Sequence, residues 1–293
     1  MGKLDGKVAL VTGASRSIGK AIAIGLAKKG AKLVLAARSA EDLNITAEVI
    51  RGAGSEALVV PTDVMIEEQI ENLFKKTMEH YGRLDILVNN AMDMSLGAPI
   101  MKSTVYQLDR QYEISARGTL IGIQLFVPGM LERHHGVVTY MSTAFRYPIG
   151  PSNYCAAKAA ATSIMMSLAA ELGPVAESGV AVFTFLPAGV GFPKSARPPT
   201  PELLEKFKNF KMPAMPGYEG NIPPEDGGAA MAYCITRAAE LHGSGVIVQQ
   251  AFRQMDWPYP KPETVQKTDF QRLNDVALAM LFSFTGPGFP DPK

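Results

Sequence analysis

Tyr154 and Lys158 lie four residues apart in Tyr154-Cys-Ala-Ala-Lys158, twelve residues after Ser142. On a helix that separation puts both side chains on one face. The segment 155–161 is rich in strong helix formers. Tyrosine, with a reference pKa of about 10, is too weak an acid to act alone as a base at neutral pH. A lysine ammonium beside it stabilises the tyrosinate and lowers that pKa. Ser142 ends the apolar stretch 137–141, where its hydroxyl could donate to a substrate oxygen and hold it in place. Together the three residues are suited to moving a proton at oxygen. A Tyr-x-x-x-Lys pair is common by chance, so its meaning depends on the elements that position it.

The N-terminal segment supplies those elements. Residues 8–11 are short, apolar and β-branched, as in a buried strand. Thr12-Gly13-Ala14-Ser15-Arg16-Ser17-Ile18-Gly19 then turns the chain. Helical spacing runs from Ile18 to Lys29, with Ile22 and Leu26 on one side, until Gly30 ends it. A strand, a glycine-bearing turn and a helix N-terminus form an anion site, because free backbone N–H groups and the helix dipole face the ligand. Gly13 would permit the tight turn and Gly19 close helix–strand packing. An ordinary βα connection has the same outline. Residues 32–37 form a second apolar strand, which makes the unit βαβ and implies a parallel, doubly wound α/β sheet. An NAD site would carry an acid at the end of this strand for the ribose 2′-OH. Here that end reads Ala36-Ala37-Arg38-Ser39. Arg38, with Arg16 in reach, suits a 2′-phosphate instead, which favours NADP as the cofactor.

These motifs occur in an order that resembles a short-chain dehydrogenase/reductase of the classical kind, from about Lys3 to about Gln250. The resemblance rests on the loop at 12–19, Asp63-Val64, Asn89-Asn90-Ala91, Ser142 and Tyr154-x-x-x-Lys158. It implies a single Rossmann-like domain with helices on both faces of the sheet. The expected catalytic residues are Ser142, Tyr154 and Lys158. The expected cofactor contacts are Gly13, Ser15, Arg16, Ser17, Ile18, Gly19, Arg38, Asp63, Val64, Asn90, Ala91, Tyr154, Lys158, Pro187 and Val190. Asp63 and Val64 would border the adenine, and Val190 would meet the nicotinamide carboxamide. Four positions depart from the family pattern. Ser17 and Met92 replace glycines, Pro187-Ala188 replaces Pro-Gly, and Ser115 stands where an asparagine helps hold a water chain behind the lysine. The resemblance further implies a homotetramer or homodimer built partly on the helix carrying Tyr154. The apolar outer face of that helix, with Ala160, Ile164 and Leu168, fits such a role.

Composition is compatible with one large α/β domain. The 293 residues carry a net charge of +1, from 29 Lys and Arg against 28 Asp and Glu. No basic stripe calls for nucleic acid, the apolar runs look too short for a membrane span, and no secretory leader opens the chain. Cys155 and Cys234 read as reduced intracellular thiols. A cytoplasmic protein without a metal is therefore expected. Strands are expected near 8–12, 32–37, 57–60, 84–89, 136–141, 180–186 and 245–249, within a domain spanning 1–255. Nine of the 21 prolines fall between Pro187 and Pro224, a stretch that in the resembling family folds over the substrate. Its apolar positions Leu203, Phe207, Phe210, Met212 and Met215 suit either a bulky apolar substrate or packing on the core. Residues 256–293 form an extension, extended at Trp257-Pro-Tyr-Pro and helical in spacing from Phe270 to Phe284, which either packs as an arm or covers the site. The functional expectation is an NADP-dependent oxidoreductase that interconverts a secondary alcohol and a ketone on a small-molecule substrate. The alternative is a non-redox NADP-binding relative that acts as a sensor or structural partner. The paired Tyr154 and Lys158 favour the enzyme, because binding alone needs neither.

Overall fold

The computed structural model describes residues 2–143, 151–191 and 215–265. Its strands are β1 (Val8–Thr12), β2 (Lys32–Ala37), β3 (Ala57–Pro61), β4 (Ile86–Asn89), β5 (Gly136–Met141), β6 (Val180–Leu186) and β7 (Ser244–Ile247). They form one parallel sheet in the order β3-β2-β1-β4-β5-β6-β7. The chain thus winds outward from β1 in one direction and then restarts at β4 in the other. The doubly wound α/β architecture is the one the βαβ pattern predicts. The last strand stops at Ile247, two residues short of its expected end. Val248 there begins a helix whose N-terminus is fixed by a bond from the Ile247 N–H to Gln250 Oε1 at 3.1 Å.

Strands buried on both sides must be apolar throughout, and β1 and β6 are buried along their whole length. Alternate residues of β1 serve opposite faces. Ala9 and Val11 join Leu33, Leu35 and Phe183 in one core, against helices α1 (Ser17–Ala27) and α2 (Ala40–Gly52). Val8 and Leu10 join Val34, Leu87 and Val138 in the other, against α3 (Glu67–Tyr81), α5 (Gly118–Glu132) and α6 (Ser152–Leu172). A short helix α4 (Val105–Tyr112) leads through a π-helical turn at Glu113–Arg117 into α5. After α7 (Val175–Ser178) and β6 comes α8 (Pro224–Ile235), which packs on α1. A Cβ at Gly228 would lie 2.5 Å from the Ala21 carbonyl carbon, so this contact requires glycine. α9 (Val248–Gln254) is the last α-helix of the described residues.

One apolar segment exceeds its expected length. Val105–Glu132 is long and apolar enough to cross a membrane by length and composition alone. However, 56% of its most apolar window is buried within the fold. Covering a sheet face accounts for that apolarity. Residues 256–265, assigned above to the extension, fold back on the core. Trp257 stacks on Phe252 with centroids 4.9 Å apart and donates to the Tyr218 hydroxyl at 2.9 Å. The remainder of the extension, and the lid positions from Leu203 to Met212, lie outside the described residues. Met215 sits in the core at 5% exposure, so at that position packing prevails over contact with substrate.

Two of the replaced glycines have measurable consequences. Ser17 and Ala188 adopt φ of +48° and +60°, the left-handed region in which a side chain is strained. Ser17→Gly and Ala188→Gly should each stabilise the fold by about 0.5–1 kcal/mol, the strain relief being partly offset by the entropy of an added glycine. Thermal denaturation of the single variants measures this, and a lower midpoint for both would contradict it.

Candidate active site

β1 and β4 are neighbours whose following connections diverge, so a crevice opens beyond their carboxyl ends, the usual ligand position in such sheets. Two side chains stitch its floor. The Thr12 hydroxyl accepts from the N–H groups of Asn90 at 2.9 Å and Ala91 at 3.1 Å. Asn90 Nδ2 donates to the Thr12 carbonyl at 2.8 Å. Gly13 turns the chain at φ +69°, and a Cβ on Gly19 would lie 2.1 Å from the Gly13 carbonyl oxygen. Helix α1 begins at Ser17 with no side-chain cap and no acid in its first turn. Its free N–H groups and positive dipole end suit a pyrophosphate. The residues present therefore fit a dinucleotide.

Arg38 lies at the far end of this crevice, exposed, with its guanidinium 3.0 Å from Asp93 Oδ2. Burial pushes the Asp93 carboxyl up, but hydrogen bonds from Ser95 and the Arg38 guanidinium together outweigh it and hold the group below its usual value. Asp93 follows Asn90-Ala91-Met92 directly and was missed in the sequence. Its spacing from Asn90 was visible, but nothing in the pattern tied it to Arg38. Arg16 is exposed, while Ser15, Asp63, Val64, Pro187 and Val190 are all half-buried. Val190 is bridged to Ile222.

β5 and α6 bring the second group together. Lys158 is fully buried and donates to the Met141 carbonyl at 2.6 Å. Its ammonium lies 4.5 Å from the ring centre of Tyr140 and 5.7 Å from that of Tyr154. Burial pulls the Lys158 pKa down to about 7. Burial also pushes the Tyr154 phenol well above its ordinary value, against hydrogen bonding from Thr143. Ser142 is 2% exposed, with its hydroxyl 2.7 Å from that of Thr162. Tyr154, Lys158 and Ser142 thus occupy one region, but Ser142 faces Thr162. Asn153, also missed, ties the 94–98 segment to α6 through bonds to Leu96 and Ala98.

Behind Lys158, Ser115 is buried in the π-helical turn with its hydroxyl directed toward the Tyr140 phenol. Among the described residues neither oxygen has a well-formed hydrogen bond, nor does Asn89 Nδ2. Tyr140 and Asn89 line a cavity of about 20 Å³ together with Thr12 and Thr119. Serine at this position is shorter than the asparagine of the family pattern.

The sequence matches the short chain dehydrogenase family over residues 7–197. The chain belongs to the short-chain dehydrogenases. An uncharacterized oxidoreductase of Staphylococcus aureus is 31% identical over 84% of this chain and 98% of its own. The L-sorbose reductase of Gluconobacter frateurii, solved with NADPH and L-sorbose, has a TM-score of 0.72 at 27% identity, covering 84% of this chain and 96% of that one. A 7α-hydroxysteroid dehydrogenase solved with NADH and 7-oxo glycochenodeoxycholic acid scores 0.70 at 26% identity, covering 83% and 93%. Oxidoreductases of this family bind a nicotinamide cofactor.

The buried lysine generates a pH prediction. With a folded pKa near 7 and a model-peptide value of 10.5, the unfolded chain binds the extra proton between those limits. Stability therefore rises with pH across that window. Lys158→Met, which removes the buried cation, should raise the thermal midpoint by a few degrees at pH 7. The gain should shrink as pH approaches 10. Calorimetry of both proteins across that range checks it, and a constant difference would contradict the assignment.

Proposed function

We propose that the protein is an NADP-dependent oxidoreductase that interconverts a secondary alcohol and a ketone, with Tyr154 as general acid and base. The observation that carries this reading is the buried Lys158 ammonium, 5.7 Å from the Tyr154 ring centre and bonded to the Met141 carbonyl at the end of β5. When bound, nicotinamide supplies or accepts the hydride. Burial keeps the Tyr154 phenol protonated, the state needed to give a proton to a ketone oxygen. Lys158 stabilises the tyrosinate left behind. Gly13, Ser15, Ser17, Ile18 and Gly19 would hold the pyrophosphate, and Asp63, Val64, Asn90 and Ala91 the adenosine. Pro187 and Val190 would meet the nicotinamide.

The choice of NADP is supported by Arg38, Arg16 and the absence of an acid at Ala37. A fairly bulky apolar substrate is supported by Leu203, Phe207 and Phe210 in the lid sequence. Cys155 and Cys234, both buried thiols, support a reducing, cytoplasmic setting. A homodimer or homotetramer is supported by the apolar surface at Tyr112 and Leu120, exposed at 42% and 40%, beside Ile164 of α6. The second reading, a non-redox NADP-binding sensor, is favoured by the Ser115 hydroxyl, which has no well-formed hydrogen bond among the described residues where the family keeps an asparagine.

Calorimetric titration tests the cofactor. The wild type should bind NADPH more tightly than NADH, and Ala37→Asp with Arg38→Leu should reverse the preference at a cost of about 2 kcal/mol in NADPH binding. Asp93→Asn should tighten NADPH binding several-fold by freeing Arg38. Equal wild-type affinities would sink the NADP assignment.

NADPH oxidation with a panel of bulky ketones separates the two readings. Tyr154→Phe should lose at least about nine-tenths of turnover while binding NADPH normally, because only the proton-transfer oxygen is removed. A wild type that binds NADPH yet reduces no ketone in the panel would favour the sensor.

A further inference from the structure

Resting on the oxidoreductase reading above, we propose that Thr143, not Ser142, is the side chain that hydrogen-bonds the substrate oxygen beside Tyr154. The argument follows hydroxyl protons. Thr162 donates its single proton to the Lys158 carbonyl at 2.8 Å, a bond within α6. The 2.7 Å contact between Thr162 and Ser142 must then have Ser142 as its donor. The other contact of the Ser142 hydroxyl, 3.5 Å to the Thr143 carbonyl, would commit the same proton. Either way Ser142 keeps no proton for a substrate, and at 2% exposure it offers little access to one.

Thr143 differs in each respect. The Ser142 N–H still continues the sheet by donating to the Phe185 carbonyl at 2.8 Å. Thr143 is the next residue, two past the end of β5. It is half-buried rather than sealed. Its hydroxyl lies beside the Tyr154 phenol, and hydrogen bonding there favours the tyrosinate. A ketone oxygen placed between these two hydroxyls receives a hydrogen bond from each, and the proton passes from Tyr154. Threonine is stiff about its first side-chain torsion, so this donor is aimed before substrate arrives. Ser142 then becomes a positioning residue that clamps the end of β5 to α6 through Thr162.

Two measurements on the NADP-bound protein test the assignment. The first replaces the nine tyrosines with 3-fluorotyrosine, whose phenol is more acidic, and follows titration by fluorine NMR. The Tyr154→Phe spectrum identifies the Tyr154 signal. Thr143→Val should raise its midpoint by about half a pH unit or more, Thr143→Ser should restore it, and Ser142→Ala should shift it less. The second measures kcat/KM with 1-tetralone and L-sorbose. Thr143→Val should lose on the order of 100-fold, Thr143→Ser should recover most of that, and Ser142→Ala should lose about threefold. A larger effect of Ser142→Ala than of Thr143→Val in the titration overturns the proposal. If the titration follows expectation but the wild type reduces neither ketone, the Thr143 contact is supported and the oxidoreductase reading is weakened.

Discussion

A fully buried ammonium is costly, and among the described residues Lys158 is held in place by the Met141 carbonyl at 2.6 Å and by the face of the Tyr140 ring. Both partners belong to the last residues of β5. The ammonium can reach them only if α6 lies close against the sheet. Ala157 and Ala161, both fully buried, flank Lys158 on that helix and permit the approach. The Ser142–Thr162 contact then fixes the strand end to the helix one turn further on. The register of α6 on β5 is thus set by a group whose burial opposes stability. Such a conflict between local stability and global placement is expected where chemistry is the reason for the placement.

The same conflict recurs in the crevice. Thr12 and Asn90 bind β1 and β4 at their carboxyl ends, which makes the floor rigid. Above it the backbone passes through left-handed conformations at Gly13 and at Ser17, and across the crevice at Ala188. Glycine would relax the last two. The fold keeps the left-handed turns despite side chains that resist them, so the path of the backbone is fixed by the surrounding packing rather than by local preference. The close approach of Gly19 to the Gly13 carbonyl has no such tolerance, because a methyl group there would meet backbone atoms that cannot move aside.

Much of this was legible in the sequence because it depends on local periodicity. Apolar runs at 8–12, 32–37 and 180–186 became buried strands, and the parallel sheet followed from the βαβ order. The Tyr154 and Lys158 pair could be read from its spacing alone. What could not be read were contacts between distant segments. Arg38 and Asp93 are 55 residues apart in the chain, and neither sits in a pattern that names the other. Ser142 and Thr143 are adjacent hydroxyl residues, and only the position of Thr162 distinguishes their surroundings. The end of β7 was misplaced for a local reason: Val248 is apolar and β-branched like the strand before it, and only the Gln250 side chain, which accepts from the Ile247 N–H, starts a helix there.

Under the proposed reading, the protonation of the site has a direction built into it. Burial favours the neutral phenol at Tyr154 and weakens proton binding at Lys158. Ketone reduction begins from a phenol that holds its proton, which this environment supplies without further cost. Alcohol oxidation begins from a tyrosinate, which the same burial disfavours and which only the Lys158 ammonium and a hydroxyl donor offset. With the Lys158 pKa near 7, that ammonium is present in smaller fraction as pH rises. Alkaline conditions promote loss of the alcohol proton in solution, but here they also remove the charge that makes tyrosinate accessible. The site as folded is therefore better matched to giving a proton than to taking one.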